Sequence, residues 1–220
     1  MDKPLQNAIL AAGLEVAPEV RQGLLTFAAE LLKWNQKVNL TAITDPEGVV
    51  DKHLVDSLLV LPEVKGAGTL LDLGAGAGLP GIPLALALPE LRVTLVESIS
   101  KKVGFMKHVS AKLGLSGRVT ALHLTARGEP EKEGLERAEV VVSRALMDLG
   151  PWLKLGRAYL KPGGRLLAML GQAPSDDAMR AAAKQHGLAL TTARRYRLPL
   201  SGDPRAVASF TFHVEHRSVF

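Results

Sequence analysis

Ten consecutive residues combine a carboxylate with four glycines: Asp72-Leu73-Gly74-Ala75-Gly76-Ala77-Gly78-Leu79-Pro80-Gly81. Glycines in such a run let backbone approach a bound group closely and take positive φ. Gly76, Gly78 and Gly81 satisfy G-x-G-x-x-G, which alone is a weak dinucleotide signal. Asp72, two residues before the first glycine, makes the pattern D-x-G-x-G-x-G. By charge sign alone, a carboxylate there suits a cationic cofactor better than an anionic pyrophosphate. Glu97 lies 25 residues after Asp72, at the end of the next expected strand. In that place it can accept both hydroxyls of a ribose, a role either cofactor allows. The bland readings are a loop carboxylate capping local amides for Asp72 and a solvent-facing strand end for Glu97.

Other chemistries are excluded by residue type. The 220 residues contain no cysteine, so there is no disulfide scaffold, thiolate metal site or cysteine nucleophile. His213 and His216 are three apart, which on a strand puts them on opposite faces, and no metal site is expected. Hydrophobic residues make up 47% and charged residues 22%, which excludes disorder and collagen. Lys plus Arg is 27 and Asp plus Glu 22, a net charge of +5 that hints mildly at a polyanionic partner. No apolar run reaches the roughly 18 residues a membrane span needs. Met1-Asp2-Lys3-Pro4 lacks a signal-peptide pattern, so a cytoplasmic protein is expected. Without a heptad run or large apolar surface, a monomer is expected.

The elements that must position the loop follow from periodicity. Val20, Leu24, Phe27 and Leu31 fall on one helix face, and Pro18 suits its first turn. A second helix is predicted from Asp45 as cap, through Pro46, to about Leu61. Pro62, Gly66 and Gly68 then interrupt the pattern, dividing a helical cap (1–65) from the main body (66–220), the two packed as one unit. In the body, strands are predicted at Thr69–Leu73, Arg92–Glu97, Val119–Leu122, Glu139–Ser143 and Arg165–Leu170. Helices are predicted at Pro80–Leu88, Lys101–Leu113, Asp148–Leu160 and Asp176–His186, with a turn at Lys161–Gly164. Leu190–Tyr196 and Val207–Val214 read as an antiparallel pair at the sheet edge. The fold class is α/β, a doubly wound and mostly parallel seven-stranded sheet behind the helical cap. The glycine loop then sits at the carboxyl ends of the strands, where such sheets bind ligands.

The arrangement D-x-G-x-G-x-G resembles the loop of S-adenosylmethionine methyltransferases. Within that class, cytosine C5 chemistry needs the missing thiol. The Asn-Pro-Pro-Tyr loop of exocyclic amine methyltransferases should follow the fourth strand, where Ser143-Arg144-Ala145-Leu146 stands instead. A guanidinium cannot accept a proton, so Arg144 is no general base. It can orient an acceptor such as guanine O6, or simply pair with a carboxylate.

Longer stretches narrow the resemblance. They are Trp34-Asn35-Gln36-Lys37-Val38-Asn39-Leu40-Thr41-Ala42-Ile43, Lys52-His53-Leu54-Val55-Asp56-Ser57-Leu58 and Gly78-Leu79-Pro80-Gly81-Ile82-Pro83-Leu84-Ala85. Glu97 through Lys101-Lys102 to Phe105, Val142-Ser143-Arg144-Ala145, and Leu160-Lys161-Pro162-Gly163-Gly164 continue the series. Together, from about Leu31 to Gly171, they resemble the bacterial 16S ribosomal RNA guanine-N7 methyltransferases, also called glucose-inhibited division protein B. The resemblance implies a Rossmann-like fold and methyl transfer from S-adenosylmethionine to N7 of one guanine of the small subunit. It places Gly74 and Leu79 along the cofactor, Gly128 and Glu129 near its adenine end, and Arg144 at the junction with the substrate. The candidate cofactor contacts are Asp72, Gly74, Ala75, Gly76, Gly78, Leu79, Glu97, Ser98, Gly128, Glu129 and Arg144. Two positions depart from the family pattern: Leu170, where lysine is common, and Gly128, where alanine or valine is expected.

Guanine N7 is a bare acceptor with no proton to remove, so such an enzyme needs orientation rather than a general base. N7 lies in the deep groove of A-form RNA, which points to an unpaired target. Candidate RNA contacts are Lys33, Asn35, Lys37, Asn39, Lys52, His53, Arg194, Arg195, Arg197 and Arg205. Against each stands a plainer role: a solvated charge for the cations, capping for the asparagines, a packed histidine for His53. Trp34 fits a core stripe better than a base stack. Three rival functions remain open, one of them a small-molecule methyltransferase, which should have an apolar lid and no need of a basic surface. A nicotinamide-dependent oxidoreductase is weakened by Asp72 and by the lack of Tyr-x-x-x-Lys. A noncatalytic RNA-binding module of the same fold leaves the glycines unexplained.

Overall fold

The computed structural model describes residues 1–144 and 147–213. Helices α1 (Asp2–Ala11) and α2 (Pro18–Asn35) open the chain. Periodicity does not announce α1. Its apolar stripe is only Leu5, Ala8 and Ile9, all buried, and so short a helix depends on packing rather than propensity. α2 starts as expected with Pro18, carries Glu19 in its first turn and ends with Lys33 in its last. Trp34 packs on Phe105, with ring centroids 5.7 Å apart, in keeping with a core role.

The second cap helix is more broken than its periodicity suggests. Asp45 does cap it, accepting from the Gly48 amide at 2.6 Å. After α3 (Pro46–Val49) the backbone widens into a π-helical stretch, Val50–Val55, before α4 (Asp56–Leu58) and α5 (Leu61–Val64). Wide turns of this kind cluster at functional sites, and this one carries Lys52 and His53.

Beyond it run β1 (Thr69–Leu73), α6 (Gly81–Ala87), β2 (Arg92–Glu97), α7 (Ser100–Lys112) and β3 (Val119–His123). Then come α8 (Pro130–Glu133), β4 (Ala138–Arg144), α9 (Leu149–Gly156), β5 (Leu160–Leu170), α10 (Asp176–Gln185), β6 (Leu188–Arg197) and β7 (Pro204–Phe212). The short α8 is not foreseen. The helix expected over Asp148–Leu160 closes as a 3₁₀ turn at Arg157–Tyr159. The turn expected at Lys161–Gly164 is a bulge inside β5: Ala138 pairs with Leu160 and Val140 with Arg165. The last strand's predicted end, Val214, lies outside the described residues, as does Ala145 of the Arg144 motif.

The sheet order is β3-β2-β1-β4-β5-β7-β6. Strands β1 to β5 pair in parallel, and β7 pairs antiparallel with both β5 and β6. The chain winds outward from β1 to β3, then returns to β4 on the other side. The switch point therefore lies between β1 and β4, and the glycine loop and Arg144 end the two strands that flank it. Alternation divides the strand residues between two cores. Leu70, Leu95, Val140 and Leu167 join the N-terminal helices with α6 and α7, while Leu71, Val141, Leu166 and Ala168 join α9 and α10. The N-terminal helices thus share a core with one face of the sheet.

Candidate active site

The glycine loop leaves β1 and turns under tight control. The amides of Gly74 and Ala75 both donate to the Val96 carbonyl, at 2.9 and 3.1 Å, binding the loop to the end of β2. Gly78 sits at φ +84°, and a Cβ there would lie 2.4 Å from Ile82 Cδ1, so both conformation and space demand glycine. The loop forms one wall of a cleft of about 350 Å³. Gly74, Ala75, Gly76, Leu79, Glu97, Ser98 and Arg144 line it, so seven of the expected contacts are brought together. Glu97 is 6% exposed. Its carboxylate accepts from the amides of Gly76 and Ile99, both at 2.9 Å, and from Ser98 Oγ at 3.3 Å. A carboxylate has about four acceptor sites, so one remains toward the cleft.

Four expected contacts stand elsewhere. Asp72 is fully buried beneath the loop and is corrected to a supporting role. One oxygen accepts from the Gly81 amide at 3.0 Å, and the other has no partner. Burial pushes its pKa up to about 7, against the pull of the Gly81 amide and Arg144. Gly78 packs behind the loop rather than on the wall. Gly128 donates its amide to Tyr159 Oη at 2.7 Å, and its φ of +87° explains glycine at a position where a side chain is usual. Glu129 is exposed and pairs with Lys132 at 2.7 Å. Neither Gly128 nor Glu129 lines the cleft.

Arg144 closes the other side. Its side chain is 24% exposed, and Nη1 donates to the Lys52 carbonyl at 2.9 Å and lies 3.2 Å from His53 Nδ1. Asp56, on α4, is 3.9 Å away. Burial holds the Arg144 pKa down, opposed by Asp56 and Asp72. His53 is buried, with Nε2 2.8 Å from Thr41 Oγ1. Burial first, and Arg144 second, push its pKa down to about 4, so it is neutral at pH 7. Arg144 also borders a second cavity of about 350 Å³, together with Lys52, His53, Asp56, Tyr196 and Arg205. Tyr196 donates to Asp56 Oδ1 at 2.9 Å. Burial is the main force raising the pKa of Asp56, and burial with the Asp56 charge raises that of Tyr196.

Several expected RNA contacts are engaged inside the protein. Asn35 clamps the turn after α2: its Oδ1 accepts from the amides of Leu40 and Thr41, and its Nδ2 donates to the Thr41 carbonyl. Arg194 forms a two-pronged pair with Glu63, at 3.0 Å on both prongs, and also donates to the Leu59 carbonyl. For Asn35 the partners are five and six residues away, and for Arg194 they are 131 and 135 away. Arg195 pairs with Asp176 at 2.6 Å, and Lys52 with Asp203 at 2.9 Å. Arg205 lies 3.8 Å from Asp56 and 3.7 Å from Asp203. Lys33, Lys37 and Asn39 are exposed. Arg197 is exposed and donates to the Gly202 carbonyl at 2.8 Å. Thr41, Asp56, Lys102 and Tyr196 line the cavities although sequence reasoning gives them no role. Thr41, Asp56 and Lys102 fall within the quoted motifs and Tyr196 ends a predicted strand, but their types alone point to no chemistry. Among the described residues no group of three His, Asp or Glu could hold a metal, and no helix is long and apolar enough to cross a membrane.

Comparisons with known proteins bear on the family and the fold. Residues 21–199 match the family model described as rRNA small subunit methyltransferase G. The Myxococcus xanthus protein named ribosomal RNA small subunit methyltransferase G is 57% identical over 200 residues, covering 91% of this chain and 92% of its own. Among solved structures, a Bacillus cereus O-methyltransferase with bound S-adenosylhomocysteine superposes with a TM-score of 0.58 at 18% identity, covering 84% of this chain and 90% of its own. Aeropyrum pernix fibrillarin with bound S-adenosylmethionine gives 0.56 at 18%, covering 72% and 74%. At these identities the structural matches speak for the fold alone.

Proposed function

The chain belongs to the rRNA small subunit methyltransferase G family, and from that premise we propose that it transfers a methyl group from S-adenosylmethionine to N7 of one guanine in 16S rRNA. The oxidoreductase and the noncatalytic module are not favoured. One observation carries the reading: Arg144 stands on the wall shared by the glycine-loop cleft and a second cavity. A residue that borders both cavities can orient two reactants toward each other, which is what a direct transfer requires.

The cleft fits the cofactor. Glu97 keeps acceptor capacity at its wall for ribose hydroxyls, and the loop amides offer close backbone contact. One oxygen of Asp72, under the loop, has no partner, and the ionised form of this carboxyl suits a cation. The bound cofactor supplies an electrophilic methyl on a sulfonium. The chain's task is to hold the base in line and exclude water. Arg144, a donor only, orients guanine through O6. His53, neutral and tied to Thr41, has no proton to take, because N7 carries none. Asp56, on the wall of the second cavity, favours in its ionised form the positive charge that arrives on the base. In this reading residues 1–65 cap the 66–220 body as one unit, and the protein works as a cytoplasmic monomer.

The test is incubation with methyl-labelled S-adenosylmethionine and small subunits lacking the modification, followed by RNA digestion. Label in 7-methylguanosine at a single site is expected. Label in another nucleoside would overturn the N7 assignment.

A further inference from the structure

Three cavities run end to end across the strand termini. The glycine-loop cleft meets the second cavity at Arg144. The second cavity meets a groove of about 600 Å³ at Gly171, Tyr196 and Arg205. Arg195 and Arg197 complete the cationic side of that groove. Lys33 and Lys37, the exposed cations of α2 and its following turn, line none of the three.

We propose that the second cavity seats the acceptor base against Tyr196, and that the RNA strand leaves it along the Arg195–Arg197–Arg205 groove rather than along α2. The inference rests on the acceptor reading above and adds where the acceptor lies. The walls suit a guanine. Arg144 offers donors to O6, and adenine would present an amino donor to the same group. Asp56 carries the acceptor charge for a base's donor edge. Met169, Leu170 and the Tyr196 ring supply apolar and aromatic surface for its faces. Leu170, in place of a lysine, makes this wall apolar, and the phosphate contact moves outward to the groove. Arg194 covers Tyr196 with its guanidinium 5.2 Å from the ring centroid, and its own pairing with Glu63 fixes that side of the ring. Of the groove arginines, Arg197 has no carboxylate partner among the described residues and donates only to a carbonyl. It is the groove cation freest to meet a phosphate.

The test uses the intact protein, S-adenosylmethionine and small subunits lacking the modification. Arg197→Ala is expected to lower the salt slope of subunit binding by about one and to raise KM severalfold with kcat held. Tyr196→Leu is expected to raise KM about tenfold, the scale of one lost base stack, with Tyr196→Phe, which keeps the ring, much nearer the parent. The double variant Lys33→Ala/Lys37→Ala should move the salt slope less than Arg197→Ala alone. Cofactor affinity by calorimetry should hold in every variant, which certifies the fold. Arg197 is exposed, so its arm stands even if Tyr196→Leu does not fold. A larger loss from the α2 pair than from Arg197, or equal KM for the Leu and Phe variants, would overturn the proposal while label still reached guanosine. No label from the parent chain would instead overturn the acceptor reading beneath it.

Discussion

The two walls that meet at Arg144 are built from different materials. The glycine-loop wall is backbone: amides of Gly74, Ala75 and Gly76 are tied to Val96 and Glu97 within one loop and the next strand. The opposite wall is side chain: Arg144, His53, Asp56, Tyr196 and Arg205 come from the cap, β4, β6 and β7 and satisfy one another. A backbone wall is local and its spacing can be read off the chain. A side-chain wall exists only once distant segments meet. The sharpest way to test the division is to remove the residue common to both. Arg144→Ala should lower kcat for methyl transfer by at least about a hundredfold, the scale of losing one positioned donor. Cofactor affinity, which rests on the backbone wall, should change by less than about tenfold. A larger loss of affinity than of kcat, by calorimetry and single-turnover labelling, would place Arg144 on the cofactor side alone.

Behind the side-chain wall, Arg194 covers Tyr196 and should matter for stability. Arg194→Ala leaves Glu63, only 10% exposed, without its two-pronged partner. A loss of about 2 kcal/mol in urea unfolding is expected. The salt dependence of RNA binding should stay as it was. A flattened slope would return Arg194 to the RNA-binding surface.

That contrast explains what the sequence makes legible. The alternation of strands and helices, the edge pair β6–β7 and the glycine loop all follow from patterns within some thirty residues, and the structure has them. Six expected contacts, from Gly74 to Ser98, line the cleft for the same reason, and Arg144 joins them from β4. Asp72 shows the limit. Its place before the glycines is visible in the chain, but burial beneath them depends on how α6 returns over β1. The cations are harder to read, because charge is a property of one residue and availability a property of two. Nothing near Arg194 in sequence announces Glu63, 131 positions away. The helix α1, the π-helical turn and the bulge in β5 are hidden because each is fixed by packing rather than by its own periodicity.

A smaller effect separates conformation from contact within the backbone wall. Gly78→Ala must take φ +84° with a side chain and displace Ile82. It should cost about 1–2 kcal/mol of stability and weaken cofactor binding with it. Gly76, at φ +59°, has open space for 4 Å around the point a Cβ would occupy, so Gly76→Ala should keep the conformational cost without the clash with Ile82. Unfolding curves that rank the two equally would mean that space at Ile82 is not limiting.

The finest test sets one titrating group from each wall against the other. His53 is held down to about 4 from its ordinary 6.5, so its contribution is whole above pH 6.5 and is lost as pH falls toward 4. Asp72 is pushed up to about 7 from 3.8, so its contribution is whole below pH 3.8 and is lost as pH rises through 7. Between roughly pH 4 and 6.5 the two slopes have opposite signs and offset each other. Removing one should expose the other. Relative to the parent, Asp72→Asn should gain stability as pH rises through that window, and His53→Gln should gain it as pH falls. Each slope should be about 1.4 kcal/mol per pH unit at most. Differences from the parent cancel every other titrating group. Parallel pH profiles for parent and variants would mean that neither group is desolvated as its burial implies, and the two walls would then differ in architecture without differing in electrostatics.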